Sequence, residues 1–279
     1  MGYCRRAVAP SESSPQPVYL SFVIPAYNEG EGIAGAVRRT VAALRETGRG
    51  FEVVVVDDGS ADDTYPKAES IAAECPEVRV VQHPRNRGFV EAMLTGYRSA
   101  VGEVVLADAA DLAFDPVDMR HVLARLDAGA DVVVVERIDR AAYGLARKLI
   151  SIANVALIRL LFRAPFRDYN FVQAYRRAVL DQIDVATRGV STLATEMIIR
   201  AYRQGFVCDR VHRPYHERTF GQSSIRIRDV FHSTSELLRL WRLLQHPEPT
   251  TLSVDAHFSD DARRREYAGS ELSPDSIQP

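Results

Sequence analysis

Between residues 17 and 137 the chain alternates between two hydrophobic rhythms. Short aliphatic and β-branched runs, such as Val53-Val-Val-Val56, end abruptly in Asp, Gly, Asn or Pro. Between them, apolar positions return every three to four residues. An unbroken apolar run of four to eight residues is how a strand buried on both faces reads, and the longer period marks an amphipathic helix. The pattern predicts strands at 19–25, 52–56, 78–82, 102–107 and 131–136. Helices are expected at 33–47, 65–75, 88–100 and 116–128, the last opening on Pro116. Regular alternation of this kind implies right-handed βαβ crossovers and an α/β fold with a mainly parallel sheet sandwiched by helices. No internal repeat is visible. No GxGxxG follows the first strand, which weighs against a dinucleotide-binding dehydrogenase.

The second half changes character. A long apolar helix studded with Arg147, Lys148 and Arg159 is predicted at 143–162, a strand at 168–175, a helix at 192–204 and a strand at 206–212. A basic loop, 216–224, then leads into an amphipathic helix at 228–244 that carries Trp241, Arg239 and Arg242. Residues 1–16, rich in Ser and Pro, read as a flexible leader, and 246–279 as a disordered tail. The expected organisation is one folded domain at 17–245, with a first half at 17–137 and a helical and strand extension at 138–245.

Composition narrows the function classes. The 279 residues are 46% hydrophobic, and 35 Lys and Arg nearly balance 37 Asp and Glu for a formal net charge of −2. No global basicity points to nucleic acid. Cys4, Cys75 and Cys208 are odd in number and scattered, which argues for reduced thiols in a cytoplasmic protein rather than a disulfide framework or a zinc site. The first residues lack the apolar core of a signal peptide, and no run of about 18 apolar residues occurs. Membrane contact is therefore expected to be peripheral, at the inner face.

Three strand ends carry the candidate chemistry. Ser21-Phe-Val-Ile-Pro-Ala-Tyr-Asn-Glu29 and Val53-Val-Val-Val-Asp-Asp-Gly-Ser-Ala-Asp-Asp-Thr64 both deliver polar residues to the carboxyl edge of the sheet, where open α/β folds bind ligands. Asp57 and Asp58 can accept a base N–H there or cap the following turn and helix. Glu29 can hold ribose or base, or act as an acid favoured at a helix N-terminus. The strand at 102–107 leads to Asp108 and Asp111. A separation of three places them on opposite faces of a continuing strand, so they converge only if the chain turns at Ala109 and Ala110.

The pairing of PxYNE with VDDGSxDxT resembles the opening of the family 2 glycosyltransferases, inverting GT-A enzymes that use nucleotide sugars. The resemblance implies a GT-A fold and nucleotide-sugar contacts from Pro25, Ala26, Tyr27, Glu29, Asp57, Asp58, Asn86, Gly88, Ala110 and Asp111. Asn86 and Gly88 belong to a segment similar to the family's NxGxxxAxxxG helix start, in which Gly96 can also serve close helix–sheet packing. In the family the third strand ends in DxD, which holds Mg²⁺ or Mn²⁺. Here Ala109 stands where the first aspartate is expected, so Asp111 is the implied metal ligand, with Asp108 beside it. Residues 166–177 and the loop containing Arg218, Gln222 and Ser223 resemble the polyprenyl-phosphate branch. That likeness implies a lipid-phosphate acceptor, with Asp168 and Glu196 as acceptor-side carboxylates and Arg218 as a phosphate clamp. Asp111, Asp168, Glu196 and Arg218 form the implied catalytic set. A soluble small-molecule acceptor and a catalytically silent nucleotide-binding protein are the alternatives, and the choice between a UDP and a GDP donor stays open.

Overall fold

The apolar runs of the first half become strands and the periodic segments become helices. The computed structural model describes residues 17–138, 145–187, 189–213 and 227–245. In chain order these hold β1 (Leu20–Ala26), α1 (Ile33–Arg45), β2 (Phe51–Asp57), α2 (Thr64–Glu74), β3 (Val78–Gln82), α3 (Phe89–Ser99) and β4 (Val104–Ala107). A 3₁₀ turn at Pro116–Asp118 then leads into α4 (Met119–Asp127) and β5 (Val132–Arg137). The rest comprises α5 (Leu145–Phe162), β6 (Gln173–Arg176), the single turn α6 (Arg177–Leu180), α7 (Val190–Arg203), β7 (Cys208–Arg213) and α8 (Ile227–Gln245).

The seven strands form one sheet in the order β3-β2-β1-β4-β6-β5-β7. β1 pairs in parallel with β2 and β4, β2 with β3, and β5 with β7. Only β6 runs the other way, antiparallel to both β4 and β5. The expected parallel α/β architecture therefore holds, with one reversed strand inside it. Side chains alternate between two cores, as the period of two requires. Phe22, Ile24, Val53 and Val55 face the layer of α1, α2 and α4. Val23, Val54, Val56 and Val105 face the layer of α3, α5, α7 and α8. Helix α3 lies close enough to the sheet that a Cβ on Gly96 would overlap the Val23 side chain, so this glycine serves close packing.

Two expectations are corrected. The helix expected at 116–128 begins with the 3₁₀ turn, where the Asp115 side chain accepts the Val117 N–H at 3.2 Å. The strand expected from 168 begins only at Gln173. Residues 163–172 run as irregular chain because their polar groups are already engaged: the Tyr169 hydroxyl donates to the Ala164 carbonyl at 2.7 Å, and Asp168 is held by Arg137.

Candidate functional site

The parallel strands β1, β2, β3 and β4 all end on one edge, and their following loops carry the motif residues. Polar side chains lace the loops after β1 and β2 together. The Asn28 N–H donates to Ser60 Oγ at 2.9 Å, and the Ala61 N–H donates back to Asn28 Oδ1 at 2.9 Å. The Glu29 N–H donates to Thr64 Oγ1 at 2.8 Å and the Gly30 N–H to Asp62 Oδ2 at 2.9 Å. Lys67 Nζ closes the seam on the Gly30 carbonyl at 2.7 Å. Asn28 accepts a left-handed backbone, φ 54°, to make its bonds. These pairings leave Tyr27 exposed at the rim, with Pro25 and Ala26 buried beneath it.

Asp57 and Asp58 take different surroundings although they are adjacent. Asp57 accepts from Gln82 Nε2 at 3.2 Å and, loosely, from the Ser60 N–H at 3.4 Å. Asp58 accepts from His83 Nδ1 at 2.7 Å, the Arg87 N–H at 2.8 Å and the Gly88 N–H at 2.7 Å. The N-terminal end of α3 thus already meets a protein carboxylate, which is where its dipole favours an anion. Asn86 is exposed on the same loop and folds its own Oδ1 onto the Gly88 N–H at 3.0 Å. Gly59, at φ 69°, lets the β2 loop press against Arg85, where a Cβ would overlap the backbone.

After β4 the chain turns over Ala109–Leu112, with Ala110 and Asp111 at the corners. The Leu112 N–H closes the turn on the Ala109 carbonyl at 2.9 Å. Asp108 organises it: Oδ1 accepts the Ala109 N–H and Oδ2 the Phe114 N–H, each at 2.9 Å. Ala110 is buried and Asp111 half-buried on the same loop. Among the described residues no group of three or more His, Cys, Asp or Glu gathers as a protein cage for a metal. The donor set is one or two hard carboxylate oxygens. That fits a magnesium-like ion, which keeps several waters and takes its remaining ligands from substrate phosphates.

Further along the sheet, Arg137 at the end of β5 grips Asp168 with Nε at 2.5 Å from Oδ2 and Nη2 at 2.9 Å from Oδ1. Its guanidinium also lies 4.9 Å from the Phe171 ring centroid. Neighbouring Glu136 accepts the Arg167 N–H at 2.7 Å and lies 3.1 Å from His212. Glu196 is fully enclosed, accepting the Ala186 N–H at 3.0 Å, the Thr187 N–H at 2.7 Å and Arg200 Nε at 2.7 Å. It holds the loop before α7 from the inside. Arg218, Gln222 and Ser223 lie outside the described residues. Cys75 and Cys208 are free thiols, and burial pushes the Cys208 thiol up to about 12, far from reactivity at neutral pH.

The polyprenyl-like segment 166–177 is divided between the two edges of the sheet. Asp168 stands at the carboxyl edge, bonded to Arg137 at the end of β5. Because β6 is antiparallel, Arg176 pairs with Val104, the first residue of β4, at the opposite edge. Arg176 Nη2 donates to the Leu126 carbonyl at 2.7 Å, while Arg177 donates to the carbonyls of Gly102 and Ala100 at 3.0 and 2.5 Å. Ser60, Asp62 and Thr64 stand in the sequence only as letters of a motif, and Gln82, His83, Thr95 and Arg137 carry no signal of their own there. Gln82, His83 and Arg137 lie at strand ends and Thr95 within α3, places that do not name a partner.

Comparison with known proteins agrees with this geometry. The glycosyl transferase family 2 profile matches residues 21–184. An undecaprenyl-phosphate 4-deoxy-4-formamido-L-arabinose transferase of Pseudomonas savastanoi pv. phaseolicola is 36% identical over 182 residues, covering 64% of this chain and 53% of that protein. The enzyme of the same name from Pectobacterium carotovorum subsp. carotovorum is 31% identical over 222 residues, covering 78% of this chain and 66% of its own. The chain therefore spans about half to two thirds of the length of these relatives. Glucosyl-3-phosphoglycerate synthase from Mycobacterium tuberculosis, solved with Mn²⁺, UDP and phosphoglyceric acid, superposes with a TM-score of 0.62 at 20% identity, covering 84% of this chain and 80% of that one. That likeness establishes the fold as GT-A. With the family profile covering more than half of its length, the chain belongs to glycosyl transferase family 2.

Proposed function

We propose that the protein is an inverting glycosyltransferase that moves a sugar from a UDP- or GDP-sugar to a polyprenyl phosphate or similar lipid phosphate, with Mg²⁺ or Mn²⁺. The observation that carries this reading is the gathering of Asp57, Asp58, Asp108 and Asp111 along one sheet edge by β2 and β4, in a chain whose relatives are named for undecaprenyl-phosphate sugar transfer. Asp58, held by three donors, keeps acceptor capacity on Oδ2 for a base N–H, and Tyr27 offers an exposed ring at the rim for stacking. Asp111 is the residue that would hold the divalent ion, and Asp108 shapes the turn that presents it. When bound, the ion supplies charge neutralisation for the departing diphosphate.

An acceptor phosphate is already an anion, so attack on the sugar requires no protein base. We assign Asp168 accordingly to the orientation of Arg137, whose planar guanidinium suits phosphate oxygens, and Glu196 to loop support. Arg218 with Gln222 and Ser223 complete the proposed acceptor clamp. A lipid acceptor places the enzyme in peripheral contact with the inner face of the membrane. Among the described residues no helix is long and apolar enough to cross it.

The test is donor turnover with and without divalent ion. Asp111→Asn is expected to abolish ion-dependent turnover of UDP- or GDP-sugars, by at least about a hundredfold, while the fold persists. Asp108→Asn should cost less in turnover and more in melting temperature. Unchanged turnover in Asp111→Asn would reject the assignment. A wild-type protein that binds nucleotide but turns over no donor with any acceptor would favour a silent binding protein.

A further inference from the structure

We infer that His83 is a positioning residue of the nucleotide pocket, acting through Asp58 and braced by Thr95; the inference rests on the reading of that edge given above. His83 follows β3 directly and is 4% exposed, buried beside Asp58 at 2%. Its Nδ1 lies 2.7 Å from Asp58 Oδ1 and its Nε2 2.9 Å from Thr95 Oγ1. An ionised carboxylate only accepts, so Nδ1 carries the proton. Nε2 meets the Thr95 hydroxyl, which can donate to it or accept from it. A chain of hydrogen bonds therefore runs from Thr95 in α3, through the imidazole, to Asp58 at the end of β2. Three elements are joined at one carboxylate.

Asp58 has about four acceptor positions, and His83, Arg87 and Gly88 fill three of them. The position left on Oδ2 is held in a fixed direction by the other three bonds. A carboxylate oriented in advance loses less on binding a ligand N–H than one that must first be ordered. Thr95 holds the ring in the orientation that makes these bonds. Without its hydroxyl the buried Nε2 loses its partner, and the imidazole is held less firmly against Asp58 and the loop of residues 83–88. A histidine that merely fills space between β3 and α3 would not depend on the Thr95 hydroxyl in this way.

The experiment measures UDP and GDP affinity of the full chain by titration calorimetry, with melting temperature recorded in parallel. Thr95→Val exchanges hydroxyl for methyl at almost constant volume. It should weaken binding of whichever nucleotide the native protein prefers by about fivefold, the usual scale for one lost hydrogen bond. His83→Leu removes the donor to Asp58 and should weaken binding by about tenfold or more. His83→Asn restores an N–H near the position of Nδ1 and should recover most of that loss. In the His83→Asn background Thr95→Val should then have no further effect, because no imidazole remains for it to brace. Nitrogen NMR of the native protein should report a protonated Nδ1 at His83. The inference is overturned if Thr95→Val lowers only the melting temperature, or if it costs as much affinity in the His83→Asn background as in the native one. A native protein that binds neither nucleotide would sink the functional reading as well, whereas a binder indifferent to Thr95→Val sinks the positioning role alone.

Discussion

At Asp62 the carboxylate accepts the Gly30 N–H at 2.9 Å, the Thr64 N–H at 3.0 Å and the Thr64 hydroxyl at 2.5 Å. Partial burial pushes its pKa up, but the hydrogen bonds from Thr64 and Gly30 outweigh that effect and leave it below the ordinary 3.8. A lowered carboxylate pKa stabilises the fold above the ordinary value, and the contribution fades as pH falls through the lowered one. Asp62→Ala should therefore melt at a lower temperature than the native protein at pH 7, with the difference shrinking towards pH 2. A constant difference across that range would show that the charge is irrelevant to the seam. The polar richness of this motif was legible in the sequence, and so was the functional edge it belongs to. The identity of each partner was not. Asn28 bonds to residues 32 and 33 positions away, and hydrogen bonds of that span leave no periodic trace. Asp57 and Asp58 illustrate the same limit: adjacent and alike in sequence, they differ because only Asp58 faces the amides that open α3.

Among the elements, the strands of the first half were readable because burial on both faces demands continuous apolar runs. Strand direction is a different matter, since an apolar run reads the same either way along a sheet. β6 is the case in point: its reversal carries Arg176 and Arg177 away from Asp168 to the far edge, where they bind the chain ends around α3 and α4. A motif that looks like one active-site segment thus does two jobs. Arg177→Ala removes charge-assisted bonds to the carbonyls of Gly102 and Ala100, both buried residues. We expect a loss of about 2–3 kcal/mol of unfolding free energy with UDP or GDP affinity intact. Chemical denaturation and calorimetry separate the two, and a specific loss of nucleotide affinity would return Arg177 to the site. Glu52 supports the same edge, accepting from Ser21 Oγ and the Val101 N–H at 2.6 Å each and from Arg79 Nη2 at 3.1 Å.

For the whole molecule, the distribution of apolar surface bears on which helix would meet a membrane. In the sequence both 143–162 and 228–244, the latter with Trp241, combine an apolar face with flanking cations. In the structure Leu237 and Leu240 are buried in the second core and Trp241 and Leu244 pack against it, so among the described side chains of α8 only Leu238 is left as an exposed large apolar residue. Helix α5 divides its apolar residues instead. Ile158 and Phe162 enter the core, while Ile152 and Leu160 stand 62% and 78% exposed. A chain with a net charge of −2 places no Asp or Glu anywhere in 145–163, where Arg147, Lys148, Arg159 and Arg163 lie. Exposed aliphatic residues among cations without acids are what a helix uses to lie on anionic lipid. We therefore expect salt-sensitive sedimentation with phosphatidylglycerol vesicles. Ile152→Glu with Leu160→Glu should reduce bound protein by about tenfold or more, as two apolar contacts are lost and two repulsive charges gained. Trp241→Ala should act mainly on melting temperature. Vesicle binding that ignores the α5 pair but is lost with Trp241→Ala would return the contact to α8. A native protein that stays wholly in the supernatant at low salt while glycosylating a soluble acceptor would remove the lipid-phosphate reading.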